Sequence, residues 1–338
     1  MKIVFKLFPL FLFLLSCGSS SRINSENEAD FVIAFGSCNR EDAPQPLWSA
    51  ILKNDPDVFL WGGDNIYSDT DDAEKMKADY LVQKQNKDYQ KVLNQTTVLA
   101  TWDDHDYGLN DGGKEWHFKE ESQQLFLDFM DVPANSKRRS REGVYHAEEF
   151  ETPKGSIKVI LLDTRYFRDE LKEDPDPEKR YAPSEGTILG EQQWAWLEKE
   201  LNNSEADFNV ILSSIQILSA EHGFEKWANF PSEVEKLKEL LISSEARNVI
   251  LLSGDRHISE FSKTNVDGLD YPLVDFTSSG LTHTYEDFDG EPNRYRVGEV
   301  VKYKSFGLLK FDFSKNKVLM EMRGENNKLQ QDYLVEFQ

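Results

Sequence analysis

Five apolar residues in succession, Phe31–Phe35, are followed down the chain by similar short runs at Asp57–Trp61, Thr97–Trp102, Ile157–Leu162, Phe208–Leu212 and Asn248–Leu252. Short apolar runs bounded by Gly, Pro, Asn or Asp predict buried strands. Between them the spacing lengthens to that of helices. Leu47–Lys53 is a short one, and Ala73–Leu93 carries Met76, Tyr80, Tyr89 and Leu93 among many charges. Phe118–Met130, Glu191–Leu201 with Trp194 and Leu197, and Val234–Leu241 complete the set. Strand alternating with helix predicts a wound α/β layer. Gly143–Phe150 and Ile157–Leu162 read as a strand pair around a Pro-Lys-Gly turn, and Val300–Phe337 alternates like an antiparallel meander turning near Lys315-Asn316. The expectation is an α/β protein with two β-rich layers flanked by helices. Asp169–Ile188 is polar and contains proline, a long surface loop of the kind that often carries function.

The first 30 residues fall outside this pattern. Lys2 and Lys6 precede the apolar run Leu7–Leu15, which is too short to span a bilayer. Leu14-Leu15-Ser16-Cys17 resembles a bacterial lipobox, so residues 1–17 are expected to be a lipoprotein signal peptide with Cys17 the lipidated residue. Residues 18–30 would tether the lipid to a catalytic domain at 31–338. The chain would then be an exported, membrane-anchored lipoprotein, in the outer membrane if the cell is Gram-negative, because Gly18 rather than Asp follows the cysteine. With Cys17 acylated, the second cysteine, Cys38, has no disulfide partner and must be buried or used.

The 338 residues hold 39 basic and 61 acidic side chains, a formal net charge of -22. That balance argues against a nucleic-acid-binding surface, and it repels anionic substrates unless cations reverse the field locally. The expected partners are a small substrate and, through the lipid anchor alone, a membrane; the chain is expected to be a monomer.

The candidate chemistry lies just after the apolar runs, where an open α/β sheet binds its ligands. Cys38 ends Phe-Gly-Ser-Cys; Gly63-Asp64-Asn65-Ile66-Tyr67 sets a carboxylate and a phenol three residues apart; Trp102-Asp103-Asp104-His105-Asp106 packs three carboxylates around an imidazole; Gly254-Asp255-Arg256-His257 adds one of each. Any one of these has an ordinary structural explanation. Together, at the ends of separate strands, soft sulfur, phenolate and hard oxygens point to a two-metal hydrolase with one transition ion and one or two of Ca²⁺ or Mg²⁺.

With Arg141-Glu142-Gly143-Val144-Tyr145, Leu162-Asp163-Thr164-Arg165 and Leu189–Leu197 added, the motif order resembles the PhoD-like (alkaline phosphatase D) family of calcineurin-like metallophosphatases. The resemblance implies a four-layer αββα sandwich. It implies Fe³⁺ held partly by Cys38 and Tyr67, with Asp64 bridging to Ca²⁺ and Asp104, Asp255 and His257 completing the shell. His105 would contact substrate or protonate the leaving group, and Arg141 and Arg165 would clamp phosphate oxygens. Gln216 lies where two-metal relatives often carry a histidine, and its amide oxygen suits calcium better than a second transition ion. The implied activity is phosphoric ester hydrolysis by in-line attack of a metal-bound hydroxide, as a phosphodiesterase or as a phosphate-scavenging monoesterase. A cation-loaded lipoprotein that binds phosphorylated ligands without turnover is the rival of a different class.

Overall fold

The computed structural model describes residues 29–244 and 246–337. Cys17, the signal segment and all but the last two residues of the expected tether lie outside the described residues. Two large sheets dominate. The first has six strands in the order Leu329–Glu336, Lys317–Arg323, Phe306–Asp312, Phe31–Gly36, Val58–Gly62, Thr97–Thr101. The second has seven, in the order Arg296–Val301, Ser259–Thr264, Leu273–Ser278, Val249–Ser253, Phe208–Leu212, Gly155–Leu161, His146–Thr152.

Side-chain alternation along the strands builds the layers. On Phe31–Gly36 and Val58–Gly62, Ile33, Phe35, Val58 and Leu60 face one cluster with Val159, Val210 and Ile250 of the other sheet. Their neighbours Val32, Ala34, Phe59 and Trp61 face the opposite way, onto Met76, Tyr80, Tyr89, Val92 and Phe126 of the helical layer. On the far side, Trp194, Leu197 and Leu201 of helix Gly190–Asn202 and Leu237 and Leu241 of helix Pro231–Ser244 cover the second sheet. The result is the expected αββα order.

Phe31–Gly36, Val58–Gly62 and Thr97–Thr101 run parallel at one side of the first sheet, and Gly155–Leu161, Phe208–Leu212, Val249–Ser253 and Leu273–Ser278 form a parallel centre in the second. The carboxyl ends of these strands meet at one edge of the sandwich, where a parallel bridge between Ser37 and Ser279 joins the two sheets.

Three differences from the sequence expectation have local causes. The single helix expected over Ala73–Leu93 is two, Ala73–Gln85 and Lys87–Gln95, because the Asn86 side chain accepts the Asp88 and Tyr89 amides and starts a new helix. The Asp169–Ile188 loop contains a two-stranded ribbon, Lys172–Glu173 with Tyr181–Ala182. Strands Ser259–Thr264, Leu273–Ser278 and Arg296–Val301 widen the second sheet beyond the apolar runs.

Candidate metal centre

Each strand end turns sharply to aim its functional side chain. Cys38, Asp64, Asp255 and His257 all have positive φ, at 59°, 50°, 67° and 54°. Non-glycine residues rarely sit there, and strained backbone of this kind clusters at functional sites. Gly63, at φ 95°, has no room for a side chain: a Cβ would lie 2.6 Å from that of Asp103. Glycine there lets the Asp64 turn press against the Asp103 turn.

The side chains then converge. The Cys38 thiol lies 3.3 Å from Asp64 Oδ2 and 2.9 Å from Ser279 Oγ. The Tyr67 hydroxyl donates to Asp64 Oδ2 at 3.0 Å and lies 3.0 Å from His257 Nε2. Ser279 Oγ also accepts the His257 amide at 2.7 Å, so one hydroxyl ties two of the turns together. Three groups have donor atoms within 4.8 Å of one another: Cys38, Asp64 and His257; Asp64, Asp104 and His105; Asp103, Asp104 and Asp255. Asp64 is shared by the first two and Asp104 by the last two. The structure thus brings together all six expected ligand residues, together with Asp103 and His105.

The electrostatics fit cations at these groups. Burial, followed by the charges of neighbouring carboxylates, lifts Asp255 to about 7, and burial, followed by the charge of Cys38, lifts Asp64 well above the usual carboxylate range. Burial likewise pushes the Cys38 thiol up to about 12. Asp64 Oδ1, Asp103 Oδ2 and Asp104 Oδ1 are buried without a hydrogen-bond partner. Buried carboxylates in this state are costly unless positive charge compensates them. Hard oxygens, a thiol, a phenol and an imidazole are a donor set for one softer and one harder ion.

His105 sits beside this centre, stacked on the Tyr67 ring at 4.0 Å between centroids. Its Nδ1 meets Asp69 Oδ1 at 2.7 Å. Burial disfavours the imidazolium, but the charge of Asp64, the hydrogen bond to Asp69 and the charge of Asp104 outweigh it and raise the pKa to about 10. Asp106 organises the turn from below, accepting the Asp103 amide at 2.6 Å and the Asn65 side chain at 2.5 Å.

The two arginines require correction. Arg165 is wholly buried and does not reach the cavity. Its guanidinium pairs with Asp103 and, at 2.6 Å, with Glu225, which Arg168 Nε holds from the other side at 3.0 Å. It positions Asp103 rather than a substrate. Arg141 lies over the Tyr145 ring, 3.6 Å from its centroid, donates to the Tyr145 carbonyl, and is also absent from the cavity wall. Gln216 is likewise absent from that wall; its amide nitrogen donates to Glu260 and Thr277, each at 2.8 Å.

The cavity has a volume of about 430 Å³ and is lined by Asp104, His105, Asp255 and His257 on the side of the centre. Arg180, Phe224, Arg256 and Tyr285 also line it. Sequence reasoning gave Arg180 and Arg256 no role. Arg256 was visible inside the Gly-Asp-Arg-His motif; Arg180 lay in a polar loop with no local signal.

Residues 33–322 match the family described as PhoD-like phosphatase. Alkaline phosphatase D of Bacillus subtilis (strain 168) is 29% identical over 119 residues, which is 32% of this chain and 20% of that protein, so the match spans a fifth of that relative's length. The solved structure of PhoD superposes with a TM-score of 0.73 at 17% identity, over 92% of this chain and 69% of its own. A dimetal phosphatase from Danio rerio gives 0.53 at 13% identity, over 92% of this chain and 100% of its own. At these identities the two structures share the fold. The family match runs through every strand end that contributes to the centre, and the chain belongs to the PhoD-like phosphatase family.

Proposed function

We propose that this protein is a metal-dependent phosphoric ester hydrolase, acting first as a phosphodiesterase. The observation that carries this reading is the pair of overlapping donor groups sharing Asp64, opening on the cavity that His105 also lines. Membership of a phosphatase family and the dimetal phosphatase fold support it.

Cys38, Asp64, Tyr67 and His257 suit a ferric ion, and Asp64, Asp104 and Asp255 suit a calcium ion beside it. When bound, the two ions supply Lewis acidity that activates water and neutralises charge on the phosphoryl group. The chain's own residues do the rest. Asp69 holds His105 by Nδ1 and leaves its Nε2 proton for the leaving alkoxide. The Asp111 amide donates to Asp104 Oδ2 at 2.7 Å, and Arg165 and Ser214 grip Asp103 Oδ1, so both carboxylates are fixed before substrate arrives. The segments Tyr166–Ile188 and Thr282–Arg296 supply Arg180 and Tyr285 to the cavity wall and limit the size of the ester that enters.

Anchoring at an exported bacterial membrane through Cys17 is part of the same proposal, supported by the lipobox-like sequence. Among the described residues no helix is long and apolar enough to cross a membrane. The discriminating experiment compares initial rates on an aryl phosphodiester and the matching monoester, using protein supplied with iron and calcium. A faster diester is expected; a faster monoester makes the protein a phosphate-scavenging monoesterase, and inactivity on both, with metals bound, leaves the binding lipoprotein.

A further inference from the structure

Two guanidiniums, those of Arg180 and Arg256, line the cavity beside Asp111 and Glu225, in a chain whose net charge is -22. Phe224 is the centre of that wall. The Arg256 guanidinium lies 4.2 Å from the Phe224 ring centroid and that of Arg180 lies 5.3 Å away, both within cation–π range. The loop carrying Arg180 is tied to the Phe224 loop by backbone bonds: the Arg180 amide donates to the Gly223 carbonyl at 2.8 Å and the Tyr181 amide to the same oxygen at 3.3 Å. Placement of the two guanidiniums against one ring is therefore built into the fold.

These groups carry more donors than the fold satisfies. Arg256 is buried, and although one of its terminal nitrogens pairs with Glu291 at 2.6 Å, its Nε–H has no partner. Arg180 is more than half exposed and holds Asp111 at 3.2 Å by one nitrogen. Behind the ring, the Phe224 amide donates to His222 Nδ1 at 3.2 Å, so the neutral imidazole carries its proton on Nε2, and that buried nitrogen also lacks a partner. Burial, then the charges of Arg256 and Lys226, keeps this histidine neutral. Buried donors without acceptors are uncommon in folded proteins and call for an explanation. For the Arg256 Nε–H, which belongs to the cavity lining, an anion seated against this wall supplies one.

Resting on the phosphoric ester reading, we propose that Arg180, Phe224 and Arg256 form a subsite for the alcohol portion of the ester, and that this portion carries a second negative charge, a carboxylate or a further phosphate. The metal centre takes the transferred phosphoryl group; the arginine wall takes the other anion, with the Phe224 ring against the carbon skeleton between them. Arg180 exchanges Asp111 for the ligand, a swap that its exposure and single ion pair permit. The subsite selects among esters rather than taking part in bond breaking.

The test is calorimetric binding of two non-hydrolysable probes, phenylphosphonate and 4-carboxyphenylphosphonate, to full-length protein loaded with iron and calcium. The carboxylated probe is expected to bind roughly tenfold more tightly, the effect of one charge-assisted contact. In Arg180→Ala that ratio is expected to fall toward one, and in Arg180→Lys to be largely kept, with metal content and the circular dichroism spectrum unchanged in both. Equal affinities in the wild type, or a preference that survives Arg180→Ala, overturn the subsite while leaving the phosphoric ester reading standing. Failure of both probes to bind protein with verified metals overturns that reading, and the subsite with it.

Discussion

Arg165 closes its guanidinium on the carboxylate of Asp103 where solvent does not reach either side chain. Sequence alone offers no way to separate this ion pair from a phosphate clamp, since an arginine fork fits a carboxylate and a phosphate equally well. The two roles make different predictions. Arg165→Met leaves Asp103 with the Ser214 hydroxyl and Glu225 with Arg168. Breaking a buried pair by removing one partner costs about 3–5 kcal/mol. Chemical denaturation is expected to show a loss of that order, whereas a phosphate clamp would raise KM and leave stability near that of the wild type.

His105→Gln is expected to retain both metals and lose roughly 10²–10⁴ in turnover on esters with poor leaving groups, the usual contribution of a general acid. The loss shrinks for a nitrophenolate leaving group, which needs no proton. Elemental analysis showing metal loss in this variant would make His105 a ligand, in keeping with its place beside Asp64 and Asp104.

Cys38→Ala removes the softest donor from the first group while keeping Asp64, Tyr67 and His257. Iron affinity is expected to fall by at least about tenfold, on the scale of disturbing a ligand shell, with calcium affected less. Equilibrium dialysis against each ion checks this, and equal loss of both ions would contradict separate sites.

The pH dependence of stability has a contributor outside the metal centre. Burial, then the charges of Arg138 and Arg141, lowers the pKa of His146 to about 4, and Glu148, 3.3 Å away and half exposed, does not offset them. The unfolded chain binds this proton near pH 6.5 and the folded chain only near 4. Between those values the unfolded state therefore holds more protons. Stability is full above about 6.5 and falls as the pH drops toward 4, by at most about 3 kcal/mol. His146→Gln is expected to flatten that slope in denaturation curves measured at pH 7 and 5; an unchanged slope would remove His146 as its source.

The parallel strands Phe31–Gly36, Val58–Gly62, Thr97–Thr101, Gly155–Leu161, Phe208–Leu212 and Val249–Ser253 were legible because they are short apolar runs, and the candidate metal centre because its donors follow those runs directly. Asp64, Tyr67 and His257 meet there, the Tyr67 hydroxyl lying 3.0 Å from both Asp64 Oδ2 and His257 Nε2. The strands at one side of the second sheet were not legible, for a physical reason. Ser259, Glu260, Ser262, Asp275 and Thr277 are all buried, yet they break the apolar runs that would mark the strands carrying them. Their side chains are held in a hydrogen-bonded network, in which Asp275 takes the Ile217 and Leu218 amides and the Ser253 hydroxyl. Burial of this kind depends on partners distant in sequence. The same holds for Arg180, whose place against Phe224 depends on two loops meeting at Gly223.

The most direct test of the central claim is the initial rate on an aryl phosphodiester before and after removal of metal by a chelator, and again after reloading with iron and calcium. Activity is expected to disappear on stripping, to return on reloading, and not to return in Asp64→Asn, where the carboxylate shared by two donor groups is lost. A rate that survives verified stripping, or full activity in Asp64→Asn, would contradict that claim.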